Sequence, residues 1–222
     1  MRSGVLLLLC SFVVPLSAAS SNDSIQTFIE RQRSVNAIPG IAVAVIQDGH
    51  VDEYFSGVAN LEWGAPVTRD TKFQLASVTK MFTGVLVMRL VEAGKLDLDR
   101  SVTSYLPEAP VAWRAITVRM LADHTSGIPE APEEWTPDTL EDVLDWAKDK
   151  ELDWTPGAQA RYGRNDFSIL ALVIERASGL GFEDALNTYL LEPAGLVSTG
   201  YSHLVQQGWV RTALPLQDRA TV

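Results

Sequence analysis

Ser77-Val78-Thr79-Lys80 is the only Ser-x-x-Lys in the 222 residues, and it opens the most apolar helix-like run of the chain past its first twenty residues. Behind it, Met81 to Val91 is apolar almost throughout, and Gly94 stands where a C-terminal cap belongs. A helix that is apolar on nearly every side belongs inside a core. Whatever this chain folds into must therefore wrap other elements around residues 77–93. The same tetrapeptide carries chemistry. A serine at a helix N-terminus meets backbone N–H groups without intrahelical partners and the positive end of the helix dipole. A lysine three residues later shares its face, so its amine can reach the hydroxyl. A serine hydroxyl is a weak nucleophile until such a neighbouring base activates it.

Composition narrows the classes. Hydrophobic residues make up 46% of the chain, with six Trp, enough for a packed core rather than disorder. The formal charge of −10 argues against nucleic acid and against anionic membrane surfaces as partners. Arg2, the apolar stretch from Val5 to Val14 and the small residues Ser17-Ala18-Ala19 read as a signal peptide over 1–19, which predicts a secreted or periplasmic protein. That stretch is interrupted by Ser11 and Pro15 and is too short for a transmembrane anchor. Cys10, the sole cysteine, lies within it, so the mature chain offers no disulfide, no thiol nucleophile and no Cys-based metal site. The three histidines show no ligand spacing, and neither a metal nor a cofactor is expected.

Along the chain, Ile25, Phe28, Ile29 and Val35 predict an amphipathic first helix that ends at Pro39-Gly40. Ile41 to Ile46 is a β-rich run, and Asp48-Gly49 predicts a hairpin into His50–Ala59. After Pro107 the signals turn helical. Thr117 and Asp138-Thr139 are candidate caps, Phe167, Leu170, Ala171, Ile174 and Ala177 line one face up to Gly179, and Phe182, Ala185, Leu186 and Tyr189 line another up to Pro193. The linkers 127–137 and 153–161 are expected to be ordered surface loops.

Phe73-Gln74-Leu75-Ala76 leading into Ser77, the stretch Leu90-Val91-Glu92-Ala93-Gly94-Lys95-Leu96-Asp97-Leu98-Asp99 and Tyr105-Leu106-Pro107 resemble the β-lactamase-related serine hydrolases. These comprise class C β-lactamases, D-alanyl-D-alanine carboxypeptidases of that type and related esterases. The resemblance covers about residues 24–201. It implies an α/β (α+β) fold, an antiparallel sheet flanked by helices plus an inserted all-helical lobe. It also implies hydrolysis of an amide, ester or β-lactam carbonyl in a small-molecule or peptide-like substrate, through an acyl-enzyme on Ser77. The expected organisation is a signal peptide over 1–19, the first part of the α/β domain with the Ser77 helix over 20–94, a helical lobe over 95–203 and an unplaced tail over 204–222.

The same resemblance makes Tyr162 the second catalytic candidate, because Pro156 to Arg164 followed by Phe167-Ser168-Ile169-Leu170 is similar to the family segment that carries Tyr-x-Asn. That tyrosine exchanges a proton with the serine or the leaving group. At the position of the motif's asparagine this chain has Arg164, with Asn165 one residue on. Both are candidate substrate-binding residues, and Arg164, a fixed cation with donors only, suits a substrate carboxylate. His124-Thr125-Ser126-Gly127 matches a family turn, and His124 is read as structural because no Gly-x-Ser-x-Gly elbow supports a Ser-His-Asp triad. Glu183-Asp184-Ala185-Leu186-Asn187 spells the Glu-x-x-Leu-Asn of class A β-lactamases, but the Ser-Asp-Asn that accompanies it there is absent, so the match is read as chance. Family members continue into a strand with Lys/His-x-Gly that completes the sheet and gives a second oxyanion donor beside the Ser77 N–H. None follows Tyr162. The chain is therefore expected to lack the C-terminal strands, and an inert relative, or a fragment that only binds peptidoglycan-like ligands, stands as the alternative.

Overall fold

A computed structural model describes residues 21–201. The segments 1–19 and 204–222, read above as signal peptide and tail, lie outside the described residues. The chain divides into two compact units, the first running to Phe73 and the second beginning at Gln74.

The first unit holds helix α1 (Ser21–Val35) and strands β1 (Gly40–Gln47), β2 (His50–Asn60) and β3 (Ala65–Pro66), in an antiparallel sheet of order β1-β2-β3. The β1–β2 hairpin turns through Asp48 and Gly49, both at positive φ (52° and 80°), as a two-residue turn that matches strand twist requires. Its register runs from Gln47↔His50 to Gly40↔Gly57. α1 buries Ile29, and Arg33 Nε donates to the buried Ser56 Oγ of β2 at 2.6 Å. Of the apolar face expected for α1, Phe28 and Val35 are exposed. Gly57 is required where it stands, at φ 77°, because a Cβ there would lie 2.2 Å from the Pro39 carbonyl oxygen.

The second unit is helical. A single 3-10 turn, Ala76–Val78, runs into α2 (Thr79–Glu92), followed by α3 (Val118–Ala122), α4 (Leu140–Lys148), α5 (Asn165–Ser178) and α6 (Phe182–Leu186), which continues as a π turn over Asn187–Leu191. α5 is the hub. It packs against α2, α3, α4 and α6 and is buried continuously from Ile169 to Ile174. Leu86 and Leu90 of α2, Leu121 of α3, Leu144 of α4 and the fully buried Trp113 close around it. The helix ends follow the sequence. Thr139 and Asp142 form a reciprocal capping box on α4, Thr117 caps α3, and Gly94 and Gly179 take positive φ behind α2 and α5.

The Ser77 helix lies in the second compact unit, which begins at Gln74, and α2 buries its contact face there against α5, α6 and the π turn. One expectation needs correcting here: α2 is not buried all round. Thr83, Leu86, Val87 and Leu90 form its buried face, while Met81 (70% exposed), Val85 and Met88 point to solvent. The second unit supplies partners for one side of this helix only.

Candidate active site

Ser77 sits in the 3-10 turn immediately before α2, held there by the Val78 N–H to Leu75 carbonyl bond at 3.0 Å. Ala76, just before it, has a φ of 45°. That is the left-handed region, costly for a residue with a Cβ and typical of positions where the chain holds a side chain in one presentation. The turn leaves Ser77 exposed at its apex. Lys80 lies in the first turn of α2, half-buried.

Tyr162 comes from the loop before α5, 85 residues along the chain from Ser77, and its hydroxyl donates to Ser77 Oγ at 2.5 Å. The Lys80 ammonium lies 4.8 Å from the centroid of the Tyr162 ring and 5.2 Å from that of Phe167. The Ser77 hydroxyl, and next the Lys80 amine, hold the Tyr162 phenol below its ordinary pKa by hydrogen bonding to the phenolate, with the lysine charge adding to the effect; burial opposes them. Tyr162 is itself 60% exposed, so a carbonyl compound can approach the Ser77–Tyr162 pair from solvent. Tyr162 thus joins Ser77 and Lys80 from 85 residues away, placing an acidified phenol and a cation beside the Ser77 hydroxyl.

Arg164 and Asn165 are placed differently. The Arg164 guanidinium donates to the Ala131 and Pro132 carbonyls at 3.2 and 3.1 Å, and its Nε lies 3.8 Å from Glu130. Asn165 is buried, and its side-chain amide donates to the Pro129 carbonyl at 2.8 Å. Both side chains hold the 129–132 loop against the start of α5. Glu130 returns the contact by accepting the Asn165 backbone N–H at 2.9 Å, next to the helix N-terminus where a negative charge is favoured.

A second cluster lies behind the tyrosine. His124, at φ 63° in the turn after α3, packs its ring against Tyr162 (centroids 4.9 Å apart) and Phe167 (5.1 Å). Its carbonyl accepts the Arg161 N–H at 3.0 Å, and its Nδ1 lies 3.2 Å from Asp166 Oδ2. Asp166, in the first turn of α5 and only 5% exposed, also accepts from Ser126 Oγ at 2.5 Å, and Ser126 in turn accepts the Ile128 N–H. Burial pushes the Asp166 carboxyl up to about 6, and the Ser126 and His124 hydrogen bonds only partly oppose it. No motif or spacing in the chain singles out Asp166 or Glu130. An acid in the first turn of a helix is ordinarily a solvated dipole partner, and only the packing of the 124–132 loop buries this one. Among the described residues no group of His, Cys, Asp and Glu is arranged to hold a metal ion.

This arrangement has relatives. The β-lactamase family model matches residues 25–220. The chain is 38% identical over 172 residues to penicillin-binding protein 4 of Amycolatopsis lactamdurans, covering 74% of this chain and 45% of that protein. It is 33% identical over 177 residues to a β-lactamase of Escherichia coli, covering 79% of this chain and 46% of the relative. A crystal structure of a β-lactamase/D-alanine carboxypeptidase from Pseudomonas syringae superposes with a TM-score of 0.73 at 28% identity, over 81% of this chain and 51% of that one. The chain thus spans about half the length of the relatives it matches. Family model, relatives and fold agree: this chain belongs to the β-lactamase-related serine hydrolase family.

Proposed function

We propose that the chain carries the nucleophilic half-site of an acyl-transferring serine hydrolase, with Ser77 as nucleophile and Lys80 and Tyr162 managing protons. The observation that supports it best is the 2.5 Å contact between the Tyr162 hydroxyl and Ser77 Oγ, with the Lys80 ammonium over the tyrosine ring. With Tyr162 ionised the contact reverses, and the serine O–H donates to the phenolate. The Ser77 oxygen attacks an amide, ester or β-lactam carbonyl as its proton passes to Tyr162, and the carbonyl π pair moves onto oxygen. Collapse of that intermediate expels the leaving group, which takes the proton back. Water then cleaves the acyl-serine by the same exchange. The Ser77 backbone N–H is one donor available to the oxyanion. In this reading Arg164 and Asn165 act on substrate indirectly, by holding the 129–132 loop beside the site.

A fluorophosphonate or a fluorescent penicillin tests the reading. The wild-type chain should be labelled and Ser77→Ala should not, while Tyr162→Phe should label about 10²–10⁴-fold more slowly. Equal labelling of wild type and Ser77→Ala refutes the mechanism. No labelling of a folded wild-type chain would favour the reading in which it binds such ligands without turning them over. Export accompanies the proposal, on the pattern of Arg2, the apolar stretch from Val5 to Val14 and the small residues Ser17-Ala18-Ala19. N-terminal sequencing of protein recovered from outside the cytoplasm should begin near residue 20. Among the described residues no helix is long and apolar enough to cross a membrane.

A further inference from the structure

We infer that Asp166 and His124 form the positioning pair for Tyr162, with the buried carboxylate tethering the imidazole and the imidazole ring backing the phenol so that its hydroxyl stays on Ser77. This rests on the reading of Ser77 and Tyr162 given above, and it assigns work to two residues which that reading leaves unused. The geometry forms one chain of contacts. Asp166 Oδ2 is 3.2 Å from His124 Nδ1, the His124 ring is 4.9 Å from the Tyr162 ring, and the Tyr162 hydroxyl is 2.5 Å from Ser77. Among the described residues, the other hydrogen bond to Asp166 comes from Ser126, whose hydroxyl satisfies the second carboxylate oxygen. Tyr162 itself stands on a loop and is largely exposed, so its placement needs a wall, and the His124 ring supplies one. A buried carboxylate costs free energy unless its partners use it. Positioning an adjacent proton-transfer group is a use that explains its presence.

The pair also makes the position of Tyr162 sensitive to pH. The charged or titratable groups facing it are Glu130 from the 129–132 loop, Lys80 from α2 and Tyr162 itself. As pH falls through about 6, Asp166 takes up a proton, and the acceptor for the His124 Nδ1–H loses its charge. The imidazole is then held less firmly, and so is the phenol against it.

The test reads Tyr162 directly, without turnover, by nuclear magnetic resonance of protein carrying ¹³Cζ-tyrosine, with the Tyr162 signal assigned from Tyr162→Phe. In the wild type the Tyr162 signal should shift with an inflection near pH 6 between pH 5 and 8. Asp166→Ala and His124→Ala should move the phenol titration upward, toward its ordinary value. Asp166→Asn, which keeps an acceptor for His124 but not the charge, should lack the inflection and titrate its phenol between wild type and Asp166→Ala. Ser126→Ala should leave the phenol titration unchanged, since the His124 tether remains. Labelling of Ser77 should slow about tenfold or more in Asp166→Ala, as expected when a proton-transfer group is displaced. A wild-type Tyr162 signal that is flat through pH 6, or a phenol titration unaltered in folded Asp166→Ala, overturns the inference. Each arm has its own control. If Ser77→Ala labels like wild type the parent reading fails, whereas the ¹³C titrations decide the positioning role in either case.

Discussion

Replacing Gly163 by alanine probes the other side of the Tyr162 loop. Gly163 is buried between Tyr162 and Arg164, and its φ is not in the left-handed region, so an alanine suits the backbone there. The obstacle is Glu130. An added Cβ would lie 2.1 Å from its Oε1 and 2.6 Å from its Cδ, far inside contact distance. The carboxylate is the flexible end of a side chain and can move, but moving it breaks the 2.9 Å bond from the Asn165 N–H at the start of α5 and the approach of Arg164. A hydrogen bond to a charged acceptor contributes about 1.5–3 kcal/mol. Against that, Gly→Ala at a compatible position gains about 0.4–1 kcal/mol by restricting the unfolded chain. The net expectation for Gly163→Ala is a loss of about 1–2 kcal/mol. Urea unfolding followed by tryptophan fluorescence is a suitable assay, because the second unit carries Trp113, Trp135, Trp146 and Trp154. The decisive arm is a double-mutant cycle. Glu130→Ala alone should cost about 1.5–3 kcal/mol. The double variant should be no less stable than Glu130→Ala, since the group that clashed is gone. Costs that simply add, or a Gly163→Ala protein more stable than wild type, would refute the account of Glu130 as the lock on this loop.

Other perturbations test other parts. Thr139→Ala removes the serviceable half of the capping box on α4 and should cost about 1 kcal/mol in the same urea assay. Asp142, held below its ordinary pKa by the Thr139 backbone and side-chain hydrogen bonds, contributes stability above that ordinary value and loses it as pH falls through the folded one, so acid titration of the melting temperature should be shallower in Thr139→Ala. Asp166 works in the opposite sense. Its folded pKa of about 6 stands above the unfolded 3.8, so its contribution is full below 3.8 and is lost as pH rises through 6. Asp166→Asn should therefore be more stable than wild type at pH 8, by on the order of 2 kcal/mol, and should lose that margin at pH 4. Finally, Met81→Lys and Met88→Lys on the solvent face of α2 should each stay within about 0.5 kcal/mol of wild type and raise solubility, whereas Leu86→Ala on its buried face should cost about 2–5 kcal/mol. A Met81→Lys cost as large as that of Leu86→Ala would show that something covers the exposed face.

Much of this protein was legible from local sequence, because local rules govern those parts. The Asp48-Gly49 turn fixes the hairpin, since a two-residue connection between twisted strands needs two positive φ values. Thr139, Gly94 and Gly179 mark helix ends for equally local reasons. Ser77 and Lys80 are neighbours by helical spacing alone, and the resemblance of the segment before Phe167 was enough to nominate Tyr162. Tertiary structure decided the rest. It brought Tyr162 onto Ser77 across 85 residues. It turned Arg164 and Asn165 toward the carbonyls at 129–132, and no periodicity records which way a side chain at a helix start will point. It left half of an apolar α2 in solvent, because hydropathy states what a face prefers while only the number of packed neighbours states what it receives. And it buried Asp166 beside His124. The sequence contains both residues, but the pKa of a carboxyl is a property of its surroundings, and those are assembled from the turn after α3, the 129–132 loop and the start of α5 only when the chain has folded.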